Sequence, residues 1–587
     1  MTERTRVDPI TLAVIRGALT SAVAEMSVVV ERTARSPIIA ISHDYSNALY
    51  VQLEDGPQMV VQGQDQPCHL GGMLASVKNA ALRFADGLAP GDVIVGNEPD
   101  LNGTHLLDVD LIQPIFAGDR LIGWACSRAH EIDIGGPVAG GYNPHAEDLY
   151  GEGLVIPPIK LVEAGRTRED VWSLILANVR APELLRGDLG AQLSAVRVAA
   201  RRVQDLALRY GTETALAAMK ELLDRAERLM RAQIAAMPDG RYHGESWIEG
   251  DGRGSREARI GCSIEVAGDG LRIAIDSPPA NRSYRNSYWG QTLGAVYYGV
   301  LSGIEPGLPI NEGLYRPLAV DPGPSATMLN AARPAACAMS TSDIWANVFD
   351  AVCDAMSRIV FERACAGWQR PALFGPSGVD PRSGDHYGGA LHIACMGGAG
   401  AVSGLDGGGL FGIVSTGGGS TTGDVELLEF RLPLHFERHE LAIDSACPGR
   451  WRGALGAELE FELVDHAAEL AHVGDGTRFP ASSRLGGGSP RDPDRRVHRK
   501  EVVRHGGQRE PIPLHSLVAA AAGERVRAFL PGGGGVGPAC ERDPALVAAD
   551  VRAGFVSPES ALEEYLVILD RTTLEPDLAA TALLRRR

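Results

Sequence analysis

The chain has 587 residues, 44% hydrophobic and 22% charged, which excludes disordered and fibrous classes and calls for two to four domains or one heavily elaborated architecture. Lys and Arg number 56 against 74 Asp and Glu, a formal charge of −18 that argues against a nucleic-acid or anionic-membrane surface. Nine cysteines without a C-x-x-C pair suit reduced thiols, no uninterrupted apolar run approaches the roughly 18 residues of a membrane span, and a cytoplasmic location is expected.

Asp8 followed by Pro9 reads as a helix N-cap with proline at the first helical position, and Leu12, Ile15, Leu19, Val23, Met26 and Val30 recur at helical spacing. Apolar segments at 48–53 and 58–61 flank Asp55-Gly56-Pro57, the pattern of a hairpin. A second hairpin is predicted from 109–116 and 121–126 around Gly118-Asp119, and it runs into Ser127-Arg128-Ala129-His130. Residues 190–237 read as two helices broken at Gly211, ended by Pro238-Asp239-Gly240. A β-rich stretch with turns at 251–252 and 268–270 follows, then a helix capped by Ser342 with Trp345, Val348, Val352, Met356 and Ile359 inward. Glycine clusters at 397–409 and 417–419 read as loops, and 458–463 alternates as a strand with one buried face. Residues 486–500 read as an exposed basic loop. The expected architecture is α+β and multi-domain, with an N-terminal domain at 1–237, a middle domain at 238–425 and a mainly β domain at 426–587.

Chemistry gathers in Gly103-Thr104-His105-Leu106-Leu107-Asp108 and, one hairpin later, in residues 127–136. A His and an Asp three apart can face one point, and the hairpin can return His130 beside them; with Asp44 added, two carboxylates would balance a divalent cation such as zinc, manganese or ferrous iron. Against this stands the commoner use of loop His and Asp as turn caps. His69 admits both a functional and a hydrogen-bonded structural reading, and His145, Glu147 and Asp148 could line a site rim or a solvated loop. The run Gly532-Gly533-Gly534-Gly535 invites a phosphate-loop reading, but no Lys-Ser or Lys-Thr follows it and flanking prolines oppose helix entry, so a tight structural turn is preferred. Cys68 and Cys126 lie near the candidate loops, and no G-x-S-x-G elbow is present.

Taken in order, Asp8-Pro9-Ile10, Arg32-Thr33-Ala34-Arg35-Ser36-Pro37, Asp44-Tyr45-Ser46, Cys68-His69-Leu70-Gly71, Gly103-Thr104-His105, Arg128-Ala129-His130, Glu152-Gly153-Leu154 and Asn311-Glu312-Gly313 give a chain that resembles hydantoinase B, the oxoprolinase-like family, over essentially its whole length. The resemblance implies a division of labour. A hydantoinase-A-like partner binds ATP and phosphorylates a carbonyl or enolate oxygen. The B-type chain carries a divalent metal, by resemblance on Asp44, His105, Asp108 and His130. The activity implied is hydrolysis of a lactam or cyclic imide by metal-activated water, with Glu131 or Asp133 as orienter or proton shuttle and His69 a further catalytic candidate. The alternatives are a ketone carboxylase of the acetone or acetophenone type and a non-catalytic scaffold subunit. Two departures stand out: Leu107 where the family usually has proline, and Glu131 where it commonly has His or Trp.

Overall fold

Asp8 opens the first helix, α1 (Pro9–Thr33), by accepting the N–H groups of Ile10 and Thr11 at 3.0 Å each. The computed structural model describes residues 7–63, 65–388, 391–395, 397–409, 413–417 and 424–586. By length and composition α1 is apolar enough to cross a membrane. Here its stripe of Ile15, Leu19, Val23, Met26 and Val30 is buried in the core.

The chain divides into two units, each continuous in space but not in sequence. One comprises the residues through Arg241 with Ile264–Tyr297 and Glu305–Thr341; the other comprises Tyr242–Ser263, Tyr298–Ile304 and Ser342–Arg587. The expected break after 237 lies four residues from the Arg241/Tyr242 change of unit, whereas the expected break at 425/426 falls inside the second unit. Sequence punctuation marks loops, and a chain that leaves a unit and returns gives no such mark.

The first unit is built on a seven-stranded antiparallel sheet of β1 (Tyr45–Leu53), β2 (Gly56–Gln62), β3 (Val93–Gly96), β4 (Asp108–Ala117), β5 (Arg120–His130), β6 (Ile159–Glu163) and β7 (Arg166–Thr167), in the order β2-β1-β5-β4-β3-β6-β7. Both predicted hairpins are present, and the Gly118-Asp119 turn joins Ala117 to Arg120 with Gly118 at φ 61°. Helix α2 (Leu70–Arg83) lies on one sheet face, and α1 with α3 (Pro182–Tyr210) lies on the other, where Val109, Leu111, Ala125 and Ala129 join their core. Then follows α4 (Thr212–Ala235), after Gly211 at φ 84°. The α3 start lies eight residues before the predicted one because Pro182 occupies the first helical positions. Strands β8 (Gly240–Ile248) and β9 (Ala258–Ala267), with a further strand at Gly270–Asp276, supply the expected β-rich stretch. The unit boundary then passes through α5 (Trp289–Leu301).

In the second unit, α6 (Trp345–Ile359) buries Trp345, Val348, Val352, Met356 and Ile359 as expected, but Ser342 is not its cap. Ser340–Ile344 forms a π turn that leads straight in, with Ile344 already helical at φ −61° and ψ −49°. Two antiparallel sheets complete the unit. One contains β10 (Ala372–Val379), β11 (His386–Tyr387), β14 (Ala468–Gly474) and β17 (Ser516–Ala520). The other contains β12 (Leu434–Ala442), β13 (Gly456–Leu463), β15 (Arg499–Val503), β16 (Arg509–Pro511) and β18 (Arg525–Leu530). The predicted 458–463 strand is the body of β13. The expected exposed loop at 486–500 is corrected at its end: Lys500 sits on β15, 2% exposed.

The glycine run at 532–535 has spent its amides. Gly532, Gly533 and Gly534 donate to the carbonyls of Ser445, Ala454 and Gly367 at 3.2, 3.0 and 2.8 Å, and Gly535 donates to Ser483 Oγ at 3.0 Å. A Cβ on Gly533 would stand 1.9 Å from the Ala399 carbonyl oxygen, so the run is a close-packed structural segment against the 397–409 cluster. Gly417 is described, while Gly418 and Gly419 lie outside the described residues.

Candidate metal centre

Alternation along β4 and β5 decides which side chains meet. Asp108 pairs with His130 and Asp110 with Arg128, so all four point to the α2 side of the sheet. His105 joins them through a turn closed by the Asp108 N–H on its carbonyl at 3.2 Å. Leu107, where the family resemblance led to proline, keeps that spacing; its carbonyl accepts the Glu131 N–H at 2.8 Å.

Among the described residues, His105, Asp108 and His130 bring three ligand atoms within 4.8 Å of one another. All are buried, at 1%, 1% and 6% exposure. His105 Nδ1 lies 2.7 Å from the Ala338 carbonyl oxygen, which can only accept, so Nδ1 carries a proton and Nε2 is turned toward Asp108. That Nε2 stands 3.0 Å from Asp108 Oδ1 and 3.1 Å from His130 Nδ1. Asp108 Oδ2 is buried without a hydrogen-bond partner among the described residues. Two imidazole nitrogens and a carboxylate with an orphaned oxygen fit a borderline divalent cation. Burial opposes ionisation of Asp108, but His105, His69 and His130 outweigh it and hold the carboxyl well below its usual range.

His69 approaches the same point: its Nε2 is 3.6 Å from Asp108 Oδ2 and 3.8 Å from Asp44 Oδ1, and its Nδ1 is 3.0 Å from Ser46 Oγ. The backbone carbonyl of Asp44 accepts the His130 N–H at 3.0 Å, which fixes the start of β1 against the end of β5. The other two catalytic candidates lie elsewhere. Glu131, next along the chain, alternates to the α3 side, where Asp188 is a near charge and burial pushes its carboxyl well up. Asp133 accepts the Arg180 N–H at 2.6 Å and pairs with its guanidinium at 3.0 Å. Asp148 caps the turn at Leu149–Gly151 by accepting the Gly151 N–H. His145 and Glu147, the other two rim candidates, are not in the three-residue group. Cys68 and Cys126 are buried, and burial pushes both thiols well above their usual range, away from nucleophilic use.

Sequence reasoning passed over three supports. The Ala338 carbonyl that orients His105 is itself held by Glu152, whose carboxylate accepts the Cys337 N–H at 2.8 and 2.9 Å and the Ala338 N–H at 2.7 Å. Tyr142 stacks on His130, 17° from parallel with centroids 6.1 Å apart. Arg128 is fully buried and binds Asp110 through Nε and Nη2 at 2.7 Å each, Ser76 Oγ at 2.7 Å and the Asn102 carbonyl at 3.0 Å, tying α2 to β4 and β5 beneath the centre.

The chain is 40% identical over 568 residues to caprolactamase subunit beta of Pseudomonas jessenii, covering 96% of this chain and 97% of that one. The crystal structure of ATP-dependent caprolactamase from the same organism superposes with a TM-score of 0.91 at 38% identity, covering 99% of this chain and 100% of that one. The nucleotide-free structure of acetone carboxylase shares the fold, with a TM-score of 0.86 at 19% identity, covering 99% and 82% of the two chains. The family model described as hydantoinase B/oxoprolinase matches residues 8–539, and the chain belongs to that family.

Proposed function

We propose that this chain is the metal-bearing subunit of an ATP-dependent cyclic-amide hydrolase, holding a zinc, manganese or ferrous ion on His105, Asp108 and His130 with Asp44 completing the set. The observation that carries the reading is the convergence of His105 Nε2 and His130 Nδ1 on the buried Asp108 carboxylate, at 3.0 and 3.3 Å from its Oδ1. The 40% identity to a caprolactamase subunit directs it to lactams. An ion of this kind supplies Lewis acidity and a nucleophilic water at neutral pH.

The chain's own residues do the rest. His105 is locked in one tautomer by Ala338, so its Nε2 is a ligand and not a proton carrier. His69, between two carboxylates and hydrogen-bonded to Ser46, is placed to hold and return the proton of the attacking water. Glu131 and Asp133 have no proton-transfer role in this reading, because one lies across the sheet and the other is tied to Arg180. Amide resonance makes a lactam carbonyl a poor electrophile, and a hydantoinase-A-like partner that phosphorylates its oxygen removes that resonance.

The test is an assay of the chain with such a partner on caprolactam and smaller lactams, with ATP and labelled bicarbonate present. Ring-opened amino acid formed together with ADP, and free of label, is expected. Ring opening without ATP, or label fixed in the product as in a carboxylase, contradicts the proposal.

A further inference from the structure

The face of the β4–β5 hairpin opposite the candidate centre carries a second polar cluster that the proposed hydrolysis does not use. Glu131, Asp188, Gln192 and Ser127 are all buried, at 0% exposure each. Their placement follows from register. Gln192 Nε2 donates to the carbonyls of Val109 and Ser127 at 3.0 and 3.2 Å, and Gln204, three turns on, donates to Phe116, so α3 runs along β4 in the same direction. Asp188, one turn before Gln192, therefore stands beside the end of the hairpin where Glu131 alternates to the same face. There it accepts the Arg35 and Ser36 N–H groups through Oδ1 at 2.6 and 3.1 Å.

The remaining valences are unmatched. Both oxygens of Glu131, Oδ2 of Asp188, Oε1 of Gln192 and the Ser127 hydroxyl have no hydrogen-bond partner among the described residues. Gln192 is independent of the carboxylates and tells the same story, since its amide hydrogens are taken by backbone and its carbonyl oxygen is left without a donor. Four of these five atoms only accept when the carboxylates are ionised. A buried cluster with four acceptors to one hydroxyl donor is costly, and two carboxylates in it repel. A single water brings two hydrogens and no charge. A cation satisfies both deficits.

We propose that Glu131, Asp188, Gln192 and Ser127 form a second, structural cation site specific for a hard divalent ion, on the reverse face of the sheet from His105, Asp108 and His130. The donors are all oxygen, without nitrogen or sulfur, which separates this site from the imidazole centre in the ions it selects. Calcium fits better than magnesium, because a cage of protein oxygens suits the larger ion, whereas magnesium keeps several of its waters. Its role is to fix the end of β5 and thereby the backbone that presents His130.

The experiment uses the full chain, first saturated with zinc so that the imidazole centre is filled, then equilibrated with radiolabelled calcium by dialysis. Wild type, His105→Ala and the double variant Glu131→Gln, Asp188→Asn are compared, with zinc counted in parallel. The expected result is one calcium per chain in wild type and in His105→Ala, with at least tenfold weaker binding in the double variant, while zinc follows His105 alone. No calcium in wild type overturns the proposal, leaving a protonated carboxyl or a water in the cluster. Calcium lost in His105→Ala also overturns it, because the ion then belongs to the imidazole centre. Should the double variant fail to fold, wild type against His105→Ala still decides. Failure of the hydrolase reading would appear in the zinc count and the lactam assay, not in the calcium count.

Discussion

His105 shows how a side chain gains a function from groups far away in sequence. In the proposed centre its Nε2 is left to bind the ion because Nδ1–H donates to the Ala338 carbonyl, and Ala338 is in place because Glu152 holds two consecutive N–H groups. Glu152→Gln replaces one accepting oxygen with an NH2 that opposes those donors. The expected outcome is a 10- to 100-fold loss of zinc affinity in a chelator competition, with the fold retained. Unchanged affinity would remove Glu152 from the account. Much of the centre was legible in sequence, because His105 and Asp108 lie on one turn and a hairpin of readable length returns His130. Ala338 was not: a backbone carbonyl 233 residues away leaves no mark in side-chain chemistry. Glu131 was misleading for a related reason, since proximity in sequence to His130 means the opposite sheet face in a strand.

At the scale of elements, the centre depends on backbones that approach closely. A Cβ on Gly71, in the first turn of α2, would lie 2.1 Å from the Gly290 carbonyl oxygen and 2.5 Å from the Gly294 nitrogen in α5. Gly72 is closed by the Arg128 guanidinium at 2.3 Å, and Gly103 by the Gly290 Cα at 2.8 Å. Gly71→Ala is expected to cost about 3 kcal/mol or more, because the atoms it meets are backbone and cannot yield like a side chain. Gly17 is the control. It sits in α1 with nothing within 4 Å of its Cβ position, so Gly17→Ala should stabilise by about 0.5–1 kcal/mol. Denaturant midpoints of the two variants check both signs. Helix and hairpin periodicity made α1, β4 and β5 readable, whereas the glycine contacts join α2 to α5 and no local pattern announces them.

At the scale of the whole molecule, two units each carry their own buried charges. In the second, Lys500 on β15 is buried, with Nζ donating to the Ala372 carbonyl at 2.7 Å and lying 5.5 Å above the Phe374 ring. Burial pushes its ammonium down to about 8 from 10.5, with Cys395 offsetting a little. Between those values the unfolded chain binds more protons than the folded one, so the Lys500 contribution to stability rises with pH from 8 to 10.5; below pH 8 the full cost of the buried charge is present. Lys500→Met should therefore raise the melting temperature at pH 7, by an amount equivalent to roughly 3 kcal/mol at most, and flatten the alkaline limb. A melting temperature that falls at pH 7 would show that the lysine's contacts outweigh its desolvation. The sequence placed Lys500 in an exposed loop because basic residues, prolines and glycines cluster before it, and a lone buried lysine at the start of a strand breaks the usual correlation. The antiparallel layers and the α+β class were readable from alternation and spacing, while the interleaving of the two units was not.

The account rests on a divalent ion held by His105, Asp108 and His130, and elemental analysis of the purified chain tests it most directly. Wild type and His105→Ala are each reconstituted with zinc, manganese or ferrous iron, freed of unbound metal and counted. About one ion of the zinc, manganese or iron class per wild-type chain, lost in the variant while its circular dichroism and melting are kept, is the predicted result. No such ion in the wild type after reconstitution would contradict the metal centre and leave the chain a scaffold subunit.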